Sequence, residues 1–171
     1  TGATQAATKF EELVQNNNNN ISSNNQINTN KIEISGIDQD MFNNIISSGT
    51  PGQTTTKYKG FNVAGTIQIP AINLKYPILE QLSKKSLETS VVLMYTANGL
   101  NKQGNSVIIG HNYRNGTFFS NLKKLSNGAK IYVTDYTGKK LTYEVYNKFE
   151  THDSDTTFYT RDTNGLAEIT L

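Results

Sequence analysis

From Phe61 onward, apolar and polar positions follow a two-residue rhythm; before it they do not. Val63-Ala-Gly-Thr-Ile-Gln-Ile69 alternates and stops at Pro70. Leu74-Lys-Tyr-Pro-Ile-Leu79 carries Pro77, which suits an edge or a strand end. Val91–Tyr95 is a short apolar run, and Asn105–Gly110 reads as a buried strand. Lys130–Asp135 and Lys139–Tyr146, joined through Gly138, form a hairpin, and Ala167–Leu171 is a last strand. Two helical stretches interrupt this pattern: a turn over Leu82–Leu87 and a helix over Phe118–Leu125, whose Phe118, Phe119, Leu122 and Leu125 are spaced as its core face. Many short strands with few helices predict a β-barrel or sandwich over residues 61–171.

Residues 1–60 read as a separate, partly helical extension. Ala6, Ala7, Phe10, Leu13 and Val14 recur at helical spacing, so Thr4–Gln15 is a short amphipathic helix. The tract Asn16–Asn20 opens an Asn-rich linker, since asparagine side chains compete with the helical backbone for hydrogen bonds. Beyond it lie a short strand over Lys31–Ile34 and helical turns over Asp40–Ile46.

Composition narrows the function. Hydrophobic residues make up only 35% of the 171, consistent with a part that does not pack. The formal charge is +2, which points to no partner, and Lys84-Lys85, Lys123-Lys124 and Lys139-Lys140 read as solvated pairs. Only Arg114 and Arg161 are arginines, so the clustered Arg/Lys surface of a nucleic-acid reader is missing. There is no cysteine, which excludes disulfides and thiolate metal sites within these residues. Thr1 is not a natural initiator, so the chain is expected to be a fragment from which a targeting or anchoring segment has been removed.

The chemistry concentrates at Asn105-Ser-Val-Ile-Ile-Gly-His-Asn112, a buried strand that delivers His111 to a loop edge. A strand holds the imidazole in place and a loop edge gives access, as acid/base work requires. Tyr113 and Arg114 read as surface loop, with the lining of a groove beside the histidine as the alternative. His152 beside Asp153 and Asp155 is too sparse for a metal site, and neither metal nor cofactor is expected.

Four segments, in order, resemble the sortases, cysteine transpeptidases of Gram-positive cell surfaces. Gly65-Thr-Ile-Gln-Ile-Pro70 with Tyr76-Pro-Ile78 is similar to the family's opening strands, and Gly104-Asn105 through Gly110-His111 to its histidine strand. Phe118-Phe119, Leu122, Leu125 and Gly128 resemble the next segment, and Asp155-Thr-Thr157 with Ile169-Thr-Leu171 the approach to the cysteine. The resemblance implies a sortase-like closed β-barrel with short helices. It also implies cleavage of an LPXTG-like sorting signal of surface proteins, followed by transfer of the acyl group to a cell-wall or pilin amine. His111 would be the general acid/base, and Thr157, Phe158 and Tyr159 would border the substrate groove. The family's cysteine would fall three residues after Leu171, and its arginine on the strand after that, so residues 1–171 alone are expected to be inactive. The full protein would be extracytoplasmic and anchored in the cell membrane. The Gly-His-Asn form looks like class B, and the short Glu150–Gly165 stretch like class A or D. The rival reading is a non-catalytic cell-surface β-domain of adhesin or pilin type, which suits a polar, cysteine-free chain.

Overall fold

The computed structural model describes residues 2–23 and 56–171. The strand predicted at Lys31–Ile34 and the helical turns at Asp40–Ile46 lie outside them.

Among the described residues, eight strands follow the helix α1 (Gly2–Ser23). They are β1 (Lys57–Tyr58), β2 (Phe61–Ile69), β3 (Leu74–Leu79), β4 (Val91–Thr96), β5 (Gly104–Ile109), β6 (Lys130–Asp135), β7 (Lys140–Glu144) and β8 (Ala167–Thr170), with a one-and-a-half-turn helix α2 (Lys84–Thr89) between β3 and β4. Their order in the sheet is β7-β6-β2-β3-β4-β5-β8, with β1 paired to β2. The sheet curls into a nearly closed barrel, and Tyr146 Oη donates to Glu168 Oε2 (3.1 Å) between its two ends. The chain enters it through a tight β1–β2 hairpin in which Lys59 (φ 47°) and Gly60 (φ 86°) both lie in the left-handed region, as a type I′ turn requires.

Most pairings are antiparallel, but β3–β4 and β5–β8 are parallel. Parallel neighbours need a crossover. The first is made by α2, started by a capping box in which Ser86 N–H donates to Ser83 Oγ (3.0 Å) and Ser83 N–H to Ser86 Oγ (2.9 Å).

Alternation sorts the strands into two apolar layers. Ile67, Ile69, Ile78, Val91, Ile108, Ile131 and Val133 point inward and form the barrel core with Phe119 and Leu125. The neighbouring positions Val63, Leu79, Val92 and Ile109 face outward and are covered by Phe10 and Val14 of α1. That second cover explains the consecutive apolar pairs Ile78-Leu79, Val91-Val92 and Ile108-Ile109: β3, β4 and β5 are covered on both faces at these positions. Phe10 is fully buried, a contribution of roughly 1.5–3 kcal/mol for such a side chain.

Polar contacts fix the helix along the sheet. Glu11 accepts from Thr66 Oγ1 (2.7 Å) and pairs with Lys75 Nζ (2.9 Å), and Gln15 Nε2 donates to the Gly138 carbonyl (2.8 Å). The helix runs on through Asn16–Asn20, where the sequence reading placed a linker. Once a helix is nucleated and docked, each further residue adds one backbone bond, which offsets the weak propensity of asparagine. No described helix is long and apolar enough to cross a membrane.

Candidate functional site

His111 stands two residues beyond the end of β5, half-buried at the rim of the barrel. Its backbone is set by close packing at Gly110. A Cβ there would lie 2.8 Å from Val91 Cγ1 and 2.9 Å from Phe119 Cδ2, so only glycine lets the strand pass between these core side chains. The His111 carbonyl accepts from Phe119 N–H (3.0 Å), which closes the following loop back onto the strand.

Rings hold the imidazole. Tyr113 stacks on it (centroids 4.6 Å apart, 15° between planes), and Phe118 meets it edge-on at 6.3 Å. Phe118 in turn stacks on Tyr76 of β3 at 5.5 Å. Among the described residues no hydrogen bond engages either ring nitrogen of His111. Tyr113, read as plain surface loop, is therefore the imidazole's stacking partner.

The helix predicted over Phe118–Leu125 is not formed. Phe118 adopts a left-handed φ of 51°, and only Leu122–Lys124 make a 3-10 turn. The contacts at its entry hold it in a loop. Asn115 Oδ1 accepts from Thr117 N–H (3.1 Å), Phe118 N–H donates to Tyr76 Oη (2.9 Å) and Phe119 N–H to His111 O. These bonds hold the entry to the segment in a loop, Phe118 is left-handed and Leu125 is extended (φ −70°, ψ 142°), so the short stretch between them closes only i to i−3 bonds, such as Leu122 N–H to Phe119 O and Leu125 N–H to Leu122 O. Phe119 and Leu125 still reach the core.

The second group of sequence-predicted residues lies in the β7–β8 loop. Thr157 is committed locally: its N–H (2.9 Å) and hydroxyl (2.6 Å) both donate to Asp155 Oδ1, while Thr151 Oγ1 donates to Oδ2 (2.7 Å). These bonds, the Thr157 hydroxyl first, hold the Asp155 carboxyl below its ordinary range. Phe158 and Tyr159 join an aromatic patch: Phe158 packs edge-on to Phe149 (5.5 Å), and Tyr159 lies 5.8 Å from Tyr95 with its hydroxyl 3.3 Å from Met94 Sδ.

This loop hangs on two residues the sequence reading gave no role. Asn105 is 1% exposed; its Nδ2 donates to the carbonyls of Phe158 and Tyr159 (both 3.2 Å) and its Oδ1 accepts from Thr170 Oγ1 (3.0 Å). Arg161 donates to Glu168 Oε2 (2.8 Å), Thr170 Oγ1 (2.9 Å) and the Phe158 carbonyl (3.1 Å). Nothing in the local sequence signals these links, because Asn105 pairs with residues more than 50 positions away.

Among the described residues no hydrogen bond or ring contact joins the loop to His111. Asn105 and His111 are six residues apart on one strand and its extension, roughly 20 Å at the strand rise. The Tyr159 hydroxyl reaches partway along that distance, to Met94 of β4. The strand β8 runs parallel beside β5 with Gly104 opposite Ala167 and Val107 opposite Thr170, a constant offset of 63 positions.

Comparison with known proteins fits this arrangement. The sortase domain family matches residues 67–171. Among curated proteins, sortase A of Bacillus anthracis is 34% identical over 74 residues, covering 43% of this chain and 35% of the relative. The chain thus spans about a third of the length of the curated relative it matches. Among solved structures, sortase C1 of GBS pilus island 1 superposes with a TM-score of 0.57 at 19% identity over 94% of this chain and 78% of that one. A Clostridium perfringens sortase D5 transpeptidase does so with 0.55 at 23% identity over 75% of each chain. At such identities the likeness speaks for the fold.

Proposed function

The chain belongs to the sortase family, and from that premise we propose that the protein is an extracytoplasmic cysteine transpeptidase. It cleaves a C-terminal sorting signal of surface proteins and passes the acyl group to a cell-wall or pilin amine. His111 is its general acid/base. Phe158 and Tyr159, with Thr157 shaping their turn, border the path of the peptide. An N-terminal anchor outside residues 1–171 holds the protein at the cell membrane.

The observation that carries this reading is the parallel β5–β8 register. The offset of 63 positions holds from Gly104 to Val107; carried on past Leu171, it would bring position 174 beside His111. Position 174 is where the sequence resemblance expects the cysteine. A thiol there would stand next to the imidazole on the neighbouring strand. An ordinary thiol with a pKa near 8.5 is only a few per cent thiolate at neutral pH, and a neighbouring imidazolium favours the thiolate. Attack on the peptide carbonyl releases the C-terminal fragment as an amine, protonated by His111, and leaves a thioester. The acceptor amine then gives up its proton to His111 and displaces the thiol.

The aromatic patch supports the peptide path. Exposed Met94 with half-buried Tyr95 and Tyr159 forms an apolar ledge on the strand next to β5, and some five to six extended residues cover the roughly 20 Å from Asn105 to His111. Thr157 serves the site through the Asp155 turn, since its own polar groups are already engaged.

Reading the encoding gene beyond the codon for Leu171 tests the proposal directly. A cysteine at position 174 and an arginine on the next strand are expected. A stop codon in their place would end the enzyme reading and leave a non-catalytic surface β-domain. With the cysteine present, a fluorogenic sorting-signal peptide should be cleaved, and a primary amine should divert product from hydrolysis to transfer.

A further inference from the structure

Asparagine followed by glycine occurs four times in the chain, at Asn98-Gly99, Asn115-Gly116, Asn127-Gly128 and Asn164-Gly165. Such a pair can react with itself. The glycine nitrogen, with no Cβ beside it to hinder the approach, adds to the side-chain carbonyl carbon of the asparagine and expels ammonia. All four asparagines are exposed, so access to water does not tell them apart. Their hydrogen bonds do.

Three pairs are tied down. Gly99 N–H donates to Thr96 Oγ1 (2.9 Å), and Asn98 Nδ2 to the Gln103 carbonyl (2.7 Å). Gly128 N–H donates to the Val145 carbonyl (2.7 Å). In both pairs the attacking nitrogen is already spent on a partner. Asn164 and Gly165 are the left-handed central residues of a turn (φ 53° and 79°). That turn is closed twice, by Leu166 N–H to Thr163 O (3.0 Å) and by Thr163 Oγ1 to Leu166 O (2.6 Å). A doubly closed turn resists the rotation that brings the nitrogen over the carbonyl carbon.

Asn115 differs in two ways. Among the described residues no hydrogen bond of ordinary geometry engages the Gly116 N–H. The side-chain carbonyl is also activated: Thr117 N–H (3.1 Å) and Thr117 Oγ1 (2.6 Å) both donate to Asn115 Oδ1. A backbone N–H donates only to the oxygen of an amide, which fixes how the group is turned. As the nitrogen adds, negative charge collects on that oxygen, where two donors already point, as they do in an oxyanion hole.

We propose that Asn115 is a site of spontaneous deamidation, selected from the four by the fold and set in the loop that follows His111. Gly116 N loses its proton to hydroxide and bonds to Asn115 Cγ. The Cγ–Nδ2 bond breaks, and the nitrogen leaves as ammonia after taking a proton from water. Water then opens the cyclic imide at one of its two carbonyls, giving aspartate or isoaspartate. Isoaspartate lengthens the backbone by a methylene between Tyr113 and Phe118, the two rings packed on His111. The site stands on geometry; its effect on turnover rests on the transpeptidase reading.

The full-length protein is incubated folded and in denaturant, at neutral and at mildly alkaline pH. Peptides carrying each pair are followed by mass spectrometry with isoaspartyl methyltransferase labelling. In the folded protein Asn115 should convert at least about tenfold faster than Asn98, Asn127 or Asn164, and faster at the higher pH. In denaturant the four rates should draw together, since only the shared local sequence then acts. Equal rates at the four sites in the folded protein, or a faster site elsewhere, would overturn the proposal. Thr117→Val removes one of the two donors and should slow Asn115 several-fold while leaving the other three unchanged; an unchanged rate would deny the hydroxyl its activating role. Asn115→Ser keeps an oxygen acceptor in the turn and should abolish isoaspartate in that peptide. Turnover of the aged parent should fall in step with isoaspartate at position 115, while aged Asn115→Ser holds its activity. Equal loss in both would overturn the link to His111. Conversion is read by mass without turnover, so its failure and the failure of the transpeptidase reading are distinguishable.

Discussion

The two loops around β5 are held by opposite means. The loop after His111 is fixed by ring stacking and by the tight passage at Gly110, and the side chains of Arg114, Lys123 and Lys124 take no hydrogen bond or ion pair among the described residues. The β7–β8 loop is fixed by polar groups: Asn105, Arg161, Thr170 and Glu168 bond its backbone and one another, and its rings stay at the surface. Packing orients a side chain while sparing its polar atoms, as an acid/base group and its charged neighbours need. A polar network instead sets a backbone in place, as the wall of a peptide groove needs.

The sharpest way to probe the contrast is to remove the imidazole. In the gene's complete product, His111→Ala should lower sorting-peptide turnover by about 10² to 10⁴-fold with little change in melting temperature. Substantial residual turnover would deny His111 its role. Crowding the packed side comes next. Gly110→Ala forces a methyl against Val91 and Phe119 and should cost about 1–3 kcal/mol in denaturant unfolding. It should disturb the His111 loop while leaving amide exchange in residues 155–161 untouched.

The polar side should respond the other way. Asn105→Ala strips the Phe158 and Tyr159 carbonyls and the Thr170 hydroxyl of their shared partner, at about 1–3 kcal/mol. Because Arg161 also binds the Phe158 carbonyl and Thr170, Asn105→Ala and Arg161→Ala should be non-additive in a double-mutant cycle. Strict additivity would mean that the network does not act as a unit.

The smallest effect is one of pH and lies outside both loops. Tyr143, whose hydroxyl donates to Asn101 Oδ1 (2.9 Å), has its pKa pushed up from 10.0 to about 12, by burial first and by the Asp135 carboxylate second. The folded protein therefore holds this proton more tightly than the unfolded chain does. The associated stability is present below about pH 10 and fades as pH rises from there through about 12. Stability curves of Tyr143→Phe should lack that alkaline decline; an unchanged slope would remove Tyr143 as its source.

Legibility in the sequence divided along the same line as the two loops. Local patterning, alternation in β2 and short apolar runs in β4 and in the strand that delivers His111, located the strands, because the side-chain period of two and burial on both faces are written into neighbouring residues. It failed over Phe118–Leu125, where apolar spacing was helical but Phe118, tied to Tyr76 of β3, takes a left-handed backbone that a helix does not allow. It failed again at Asn16–Asn20, where a docked helix carried weak helix formers along. The Asn105–Arg161 network left no local trace.

By itself the sequence determined the β-rich domain, the family to which it belongs, and His111 as the candidate for acid/base chemistry, since each depends on residue types at short spacing. Only the tertiary structure decided that β8 lies parallel to β5 in a register leading to His111, that Tyr113 stacks on that imidazole, and that Asn105 and Arg161 anchor the β7–β8 loop. Those are contacts between segments distant along the chain, and burial of both faces of a curled sheet, rather than any local pattern, brings them together.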